Sequence, residues 1–452
     1  MVDYVFERHL SGGILLPANK TTSTALPIHR GFVPTKLVLA LHQHRGNAAE
    51  PVVAVGERVL KGQTVAAASA APSAAVHAGT SGWVRAIEER SVLGGHGVRP
   101  SLCIVIESDG RDERVPAALS WPGEIAAQRD AIRAAGIVGL GGAVYPTADK
   151  LATPVPVQTL IVNGAECEPY ISCDDMLMRE NAAKIITNTL LLTNVLAAPR
   201  AIIAIERDKP QAMEAIEAAA QAADDARLKL AEVPTIYPAG GEKQLVELLT
   251  GEEVPSGRYP GEFGYVCQNV GTAYAVQRLR AQREPLVTRV VTVTGGGVKK
   301  PQNIEAPIGT PIAELVALCG GYNEGVTRLI AGGSMMGYAL PDDETPITKA
   351  TNCIIAALAD EVRTDMHEWP CIRCGDCAMV CPSRLLPQDL LVAATTSDFA
   401  SLHTLGLQDC IECGCCDVIC PSQIMLTERF RIAKRSIAAR EARIPVTSPG
   451  QD

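Results

Sequence analysis

The chemistry of this sequence is concentrated in cysteine. Nine of its fifteen cysteines lie between Cys371 and Cys420, and their spacing occurs twice. Cys371-Ile-Arg-Cys374-Gly-Asp-Cys377-Ala-Met-Val-Cys381-Pro382 reads C-x2-C-x2-C-x3-C-P, and Cys410-Ile-Glu-Cys413-Gly-Cys415-Cys416-Asp-Val-Ile-Cys420-Pro421 reads the same. In such a doubled run a close triplet of thiolates wraps one iron–sulfur cubane, while the fourth thiolate reaches across to the other. The expected ligand sets are Cys371, Cys374, Cys377 and Cys420 for one [4Fe–4S] cluster, and Cys410, Cys413, Cys416 and Cys381 for a second. Zinc is the rival ligand, but zinc sites use four ligands in two pairs rather than a doubled run. Cys415 falls off the spacing and reads as a non-ligand. Gly375 and Gly414 let the backbone approach each cluster, and Pro382 and Pro421 turn the chain away. Between the runs, Asp389–Ala394 reads as helix. The other six, Cys103, Cys167, Cys173, Cys267, Cys319 and Cys353, are scattered and read as buried thiols.

Clusters pass electrons one at a time, so another part of the chain must feed them. A helix over Gly123–Ala135, capped by Gly136, leads into Gly139-Leu-Gly141-Gly142-Ala-Val-Tyr145. This loop brings bare backbone to a flat or anionic ligand. No Gly-Lys-Ser/Thr follows, and a helix rather than a strand precedes, so neither standard nucleotide fingerprint applies. A buried strand, Thr159–Val162, then ends in Asn163-Gly-Ala-Glu166-Cys167-Glu168-Pro169-Tyr170. The carboxyl ends of strands are where α/β sheets place ligands; a charged surface turn is the alternative for this segment alone. Gly240-Gly241-Glu242-Lys243 opens a helix whose N-terminus attracts phosphate, with Lys243 adding charge. Cys267–Thr272 reads as another polar loop before a helix. No side-chain general acid or base is needed for the chemistry of such a site, and none is nominated.

Together these segments resemble the RnfC family, a component of the Rnf electron transport complex, over nearly the whole chain. The middle is also similar to the flavin- and NADH-binding subunit of respiratory complex I. The resemblance is borne by GLGGAVYPTADKL (139–151), LIVNGAECEPYISCD (160–174), YPAGGEKQLVELLTGEEVPSG (237–257), NVGTAYA (269–275), VVTVTGGGVKKPQN (290–303), GGSMMGYALP (332–341) and both cysteine runs. It implies a non-covalent FMN, an NAD(H) site stacked on it and two [4Fe–4S] clusters. By position, Gly139, Gly141, Gly142, Lys150, Asn163, Glu166, Gly241, Glu242 and Asn269 would line FMN. Glu168, Lys150 and Tyr145 would lie near the nicotinamide nucleotide. Tyr145 stands where the complex I pattern has Phe, Ala165 and Cys167 where it has Asp and Ser, and Lys243 where it has an acidic residue.

The implied function is a peripheral subunit of an ion-translocating ferredoxin:NAD oxidoreductase, oxidising NADH or reducing NAD. Its partners would be the membrane and iron–sulfur subunits of the complex and, indirectly, ferredoxin. Its place would be the cytoplasmic face of the bacterial inner membrane. Two rivals are a soluble cobalamin reductase-like protein and a non-catalytic electron wire whose flavin site has decayed. Intact Gly139, Gly141, Gly142, Lys150 and Asn163 count against the wire.

The rest of the chain must position these parts. With 452 residues, 47% apolar and 20% charged, it has material for three or four domains. A net charge of -9 excludes nucleic-acid binding by bulk electrostatics. Met1–Leu10 lacks the apolar core of a secretory signal, which favours reduced thiols. The most apolar stretch, Ile185–Ile205, includes Thr187, Asn188, Thr193, Asn194, Pro199 and Arg200, a load no lipid-facing helix carries.

The expected fold class is multidomain α/β. An N-terminal arm (1–30) contains Ser11-Gly12-Gly13-Ile14. A barrel-sandwich domain of biotinyl/lipoyl type (31–118) is built from similar hairpins at Val55–Val65 and His77–Val84. With no lysine in Ala67–Ala75 it reads as structural, and His96 and Arg99 as serving the fold. An α/β FMN/NADH-binding domain (119–285) and a β-grasp SLBB domain (286–350) follow, the latter with Gly295–Gly297 as a turn. The C-terminal α-helical two-cluster ferredoxin-like domain (351–452) ends in a basic helix, Glu428–Ile444, carrying Arg429, Arg431, Lys434, Arg435, Arg440 and Arg443. That helix is either a solvated face or a docking surface for an acidic partner or lipid.

Overall fold

The computed structural model describes residues 3–4, 10–94, 97–116, 119–363 and 366–441. Its centre is a five-stranded, fully parallel sheet in the order Asp3–Tyr4, Leu228–Val233, Ala201–Glu206, Thr159–Gly164, Tyr265–Asn269. Ala201–Glu206 (AIIAIE) is buried at every position, the near-continuous apolar run of a strand covered on both faces. Alternation sorts the faces. Leu160, Val162, Ile203 and Ile205 pack with residues of the helices Cys173–Val195, Pro210–Ala223 and Val270–Gln282. Ile161, Ile202 and Ala204 pack with Leu245, Val246 and Leu249 of the helix Glu242–Thr250. Ile185–Ile205 is thus split between a helix and a core strand. Among the described residues no helix is long and apolar enough to cross a membrane.

The strand Tyr265–Asn269 runs straight into the helix Val270–Gln282, so the polar loop expected over 267–272 does not exist. Asn269 itself makes the junction, its side chain accepting from the amide of Gly271 as a helix N-cap.

The N-terminal domain holds a four-stranded antiparallel sheet (Lys36–Ala40, Gly97–Ser108, Gly82–Gly94, Arg58–Val59) and a three-stranded one (Glu50–Pro51, Thr64–Ala67, Val76–His77). The two segments expected as separate hairpins pair with each other instead. Val59 lies opposite Gly82, and Thr64 opposite His77. The hairpin in this domain is the long ribbon Gly82–Ser108, whose two strands pair along nearly their whole length. Arg99 on that ribbon contacts His42 Nδ1 at 3.2 Å, while His96 lies outside the described residues.

A second five-stranded sheet, mixed in direction, has the order Gln302–Pro307, Thr288–Thr294, Cys353–Leu358, Val326–Ala331, Tyr338–Leu340, with the helix Ile312–Leu318 packed in its core. Its middle strand lies beyond the expected domain boundary at 350. Cys353–Leu358 pairs parallel with Thr288–Thr294, a partnership no local pattern reveals because parallel strands need a long crossover. The triple glycine is a turn lying on that strand, where a Cβ on Gly295 would come 2.3 Å from the carbonyl oxygen of Ala356.

The C-terminal region is helical: Asp376–Met379, Pro387–Thr395, Phe399–Thr404, Cys415–Ile419 and Leu426–Glu441 surround Leu390, Leu402, Leu407 and Phe430. In the last helix Arg431 and Lys434 both turn inward to Glu412, each at 3.0 Å, so its basic face is in part an internal clamp on the second cysteine loop. Arg443 and the end of the expected helix at 442–444 lie outside the described residues.

Candidate functional site

Adjacent parallel strands place Asn163 directly opposite Asn269 at the carboxyl edge of the central sheet. Both amides hold loops. Asn163 donates to the carbonyl of Gly240 at 2.8 Å and accepts from the amide of Ala165 at 3.0 Å. Asn269 donates to Asp174 at 2.5 Å. The glycine loop is pinned at its base by Gly139 N to Tyr145 O (2.9 Å) and Leu140 N to Thr272 Oγ1 (2.9 Å). Its tip at Gly141–Ala143 is exposed, as is Tyr145. A Cβ on Gly141 would lie 3.4 Å from the Asn269 side chain, whereas Gly142, at φ +104°, faces no heavy atom within 4 Å.

Gly241 is the N-cap of the helix Glu242–Thr250 and supplies no side chain to the free amides of its first turn. Lys150 reaches this helix start, pairing with Glu242 at 2.8 Å. Uncapped amides, a lysine and backbone without Cβ therefore gather at one sheet edge, a donor set that fits a flavin phosphate. Lys243 does not join them, since its ammonium donates to the carbonyl of Pro255 at 3.0 Å.

The two glutamates part ways. Glu166 accepts from the amides of Asp174 (2.7 Å) and Asp175 (3.1 Å), capping the helix Cys173–Val195, while Lys20 of the N-terminal arm bonds its carbonyl. Burial, then the charge of Glu166, pushes the neighbouring Asp174 carboxyl up to about 7. Glu168 accepts from the amides of Met335 (3.1 Å) and Met336 (3.0 Å) in the second sheet's domain. Burial raises its carboxyl to about 7 against the lowering effect of those amides. A Cβ on Gly333 would collide with this carboxylate, so the glycine is what admits it. Expected near the nucleotide, Glu168 in this structure locks the flavin domain to its neighbour.

The two cysteine runs fold alike. Arg373 and Glu412 take φ +56° and +59°, Gly375 and Gly414 take +87° and +77°, and Arg384 and Gln423 take +53° and +55°. Non-glycine residues in this region are uncommon and concentrate at functional loops. Cys371, Cys374, Cys377 and Cys420 line a single cavity, although Cys420 comes from the other run. Cys381 likewise leaves its own run: after burial, the nearby Cys413 raises the thiol pKa of both Cys381 and Cys410, the latter to about 11. Cys416 feels Cys410 and Cys413 in turn. Each set thus gathers three thiols from one run and one from the other, a donor set that fits a cubane. Cys415 is fully buried, with Sγ 3.9 Å from the carbonyl of Tyr237. Of the scattered cysteines, Cys167 is half-buried and the other five are buried.

The two thiol sets are not equivalent in place. Cys371 and Cys374 are exposed, and the nearby Trp369, Ile372 and Met379 are 61%, 68% and 79% exposed. Cys413 and Cys415 instead face inward and pack with Tyr237, Cys167, Met335, Ile14 and Leu16. No chemistry in the linear sequence singles out Tyr237, Met335 or the arm glycines. Their only signal there is membership of the segments that begin at 237 and 332 and of the Ser11–Ile14 arm.

Comparison with known proteins agrees with this division. Residues 132–278 match the Nuo51 FMN-binding domain, 8–111 the RnfC barrel sandwich hybrid domain, and 290–339 the SLBB domain. The RnfC protein of the ion-translocating oxidoreductase complex of Pseudomonas aeruginosa is 46% identical over 431 residues, covering 94% of this chain and 55% of that one. Its counterpart in Edwardsiella ictaluri is 44% identical, covering 95% and 54%. That of Yersinia pestis bv. Antiqua is 43% identical, covering 95% and 69%. The chain spans little more than half the length of the first two relatives. A chain of an NAD+-reducing [NiFe]-hydrogenase overlays 73% of this one and 64% of its own length at TM-score 0.49 and 22% identity, too distant to bear on function. An FMN-binding domain between a barrel sandwich and an SLBB domain, with these identities along almost the whole chain, places the protein in the RnfC family of the ion-translocating oxidoreductase complex.

Proposed function

We propose that this chain exchanges hydride between NAD(H) and a bound FMN and relays the electrons through two [4Fe–4S] clusters to the membrane and iron–sulfur subunits of an ion-translocating ferredoxin:NAD oxidoreductase. Gly139, Gly141, Gly142, Lys150, Asn163, Gly241, Glu242 and Asn269 would hold the flavin, with Tyr145 at the exposed side where a nicotinamide would approach. When bound, the flavin takes a hydride from NADH, two electrons and a proton together, and releases the electrons singly, and each cluster carries one.

The protein's part is distance and order. The observation that carries the reading is the inward packing of Cys413 and Cys415 on Tyr237, in the loop that also bears Gly240 and Gly241. It supports an inner cluster on Cys410, Cys413, Cys416 and Cys381 beside the flavin domain. The outer cluster, on Cys371, Cys374, Cys377 and Cys420, would be the outlet, its apolar rim suited to a brief encounter with a partner protein at the cytoplasmic face of the membrane.

The test is anaerobic purification of the full chain, followed by its flavin spectrum and titration with NADH. The expected result is stoichiometric FMN that bleaches with NADH, then reduction of both clusters. Absence of flavin, or flavin that NADH does not bleach, overturns the enzyme reading in favour of an electron wire.

A further inference from the structure

We infer that the arm segment Ser11–Ile14 is the positioning element that seats the inner cluster loop against the flavin domain. The inference rests on the flavin and cluster assignments proposed above.

The chain passes at Gly12 and Gly13 through a gap with no room for side chains. A Cβ on Gly12 would lie 2.7 Å from the carbonyl carbon and oxygen of Cys381 and 2.9 Å from the oxygen of Val380. One on Gly13 would lie 2.7 Å from Ile236 Cγ2 and 2.8 Å from the oxygen of Tyr237. Both residues are left-handed, at φ +67° and +84°. The amide of Gly13 donates to Val380 at 2.9 Å. The next residue, Ile14, exchanges two backbone bonds with Tyr237, at 2.8 and 3.0 Å. Consecutive arm residues are therefore bonded first to the chain entering Cys381 and then to the flavin-domain loop.

Arg384 closes the tie from outside. It donates to Ser11 Oγ (3.1 and 3.3 Å) and to Glu253 (2.9 Å), and also pairs with Glu247. Beyond the tie the arm continues along the flavin domain: Ala18 accepts from the amide of Tyr170, and Ser23 Oγ meets Ser172 Oγ at 2.8 Å. The covalent route between the two domains runs the long way, through the strand Cys353–Leu358 of the second sheet, and does not itself fix their separation. Reaction between two held centres depends steeply on how they are held, and the arm supplies a direct tie.

The full chain, loaded with FMN and iron, tests this with three variants. Gly12→Ala inserts a Cβ into the gap. Arg384→Ala removes the outer tie at an exposed position and leaves the cores intact. Gly31→Ala is the control, with φ +81° but nothing within 4 Å of its Cβ, so it carries backbone strain without collision. Gly12→Ala is expected to keep its FMN, its iron and NADH bleaching of the flavin. NADH-driven cluster reduction should slow at least about tenfold, and amide exchange at Gly13, Ile14 and Tyr237 should quicken. Arg384→Ala should move the last two readouts the same way by less, and Gly31→Ala should match the wild type. Wild-type cluster reduction and exchange in Gly12→Ala, or an equal loss in Gly31→Ala, overturns the proposal. If Gly12→Ala loses its clusters, Arg384→Ala decides. If the wild type shows no flavin bleaching, the functional reading has failed, and amide exchange alone then judges the arm: faster exchange upholds the tie, unchanged exchange refutes it.

Discussion

The phenol of Tyr237 donates to the carbonyl oxygen of Cys413 at 2.8 Å, from a side chain that is 3% exposed. One residue thus joins the loop that carries Gly240 and Gly241 to the loop that carries a cluster thiol. A buried carbonyl that loses its donor costs about 1–3 kcal/mol. Tyr237→Phe keeps the ring and removes only that donor. It should lower stability by about that much and slow cluster reduction by NADH while leaving flavin bleaching unchanged; equal slowing of both steps would argue that Tyr237 serves the flavin site rather than the contact.

Cross-ligation makes a sharp claim about Cys381. Although it belongs to the first run, Cys381→Ala should damage the cluster held by Cys410, Cys413 and Cys416 and spare the one held by Cys371, Cys374 and Cys377. Iron content and low-temperature EPR of the reduced protein read this directly. Loss of the outer cluster's signal would refute the assignment.

Gly141 stands where bare backbone closes on Asn269. Gly141→Leu should fill the cradle proposed for the flavin, so the purified protein should contain far less FMN with a full complement of iron. Retention of FMN at the wild-type level would place the flavin elsewhere.

Lys349 is fully buried where three regions meet, its ammonium donating to the carbonyls of Ala75 (2.7 Å) and Gly136 (2.8 Å). Burial lowers its pKa from 10.5 to about 7. His77 and His44 face the same junction. Burial and then the Lys349 charge hold them at about 3 and about 4, so they stay neutral above those values. Between about pH 7 and 10.5 the unfolded chain binds the proton that the folded lysine has released, so stability must rise with pH across that window. The desolvation penalty is present in full below pH 7 and is relieved above it, at about 1.4 kcal/mol per pH unit at most. In Lys349→Met this rise should vanish, whatever the mutant's absolute stability. Urea melts at pH 6.5 and pH 9 compare the two; parallel pH dependence in wild type and mutant would refute it.

The cysteine spacing, the glycine loop and the strand ending in Asn163 were legible in the linear sequence because each is a local pattern. A metal-ligand run, a turn that needs left-handed glycine and an apolar strand that ends in polar groups are written in neighbouring residues. What neighbours cannot encode is which distant element lies alongside. The parallel pairing of Cys353–Leu358 with Thr288–Thr294, the turning of Glu168 away from the sheet edge onto Met335 and Met336, and the departure of Lys243 toward Pro255 are all long-range outcomes. Likewise the twin runs are nearly symmetric in sequence, so nothing in them distinguishes an inner cluster from an outer one. The tertiary structure alone decides that, because it buries Cys413 and Cys415 against Tyr237 and the glycine arm and leaves Cys371 and Cys374 exposed.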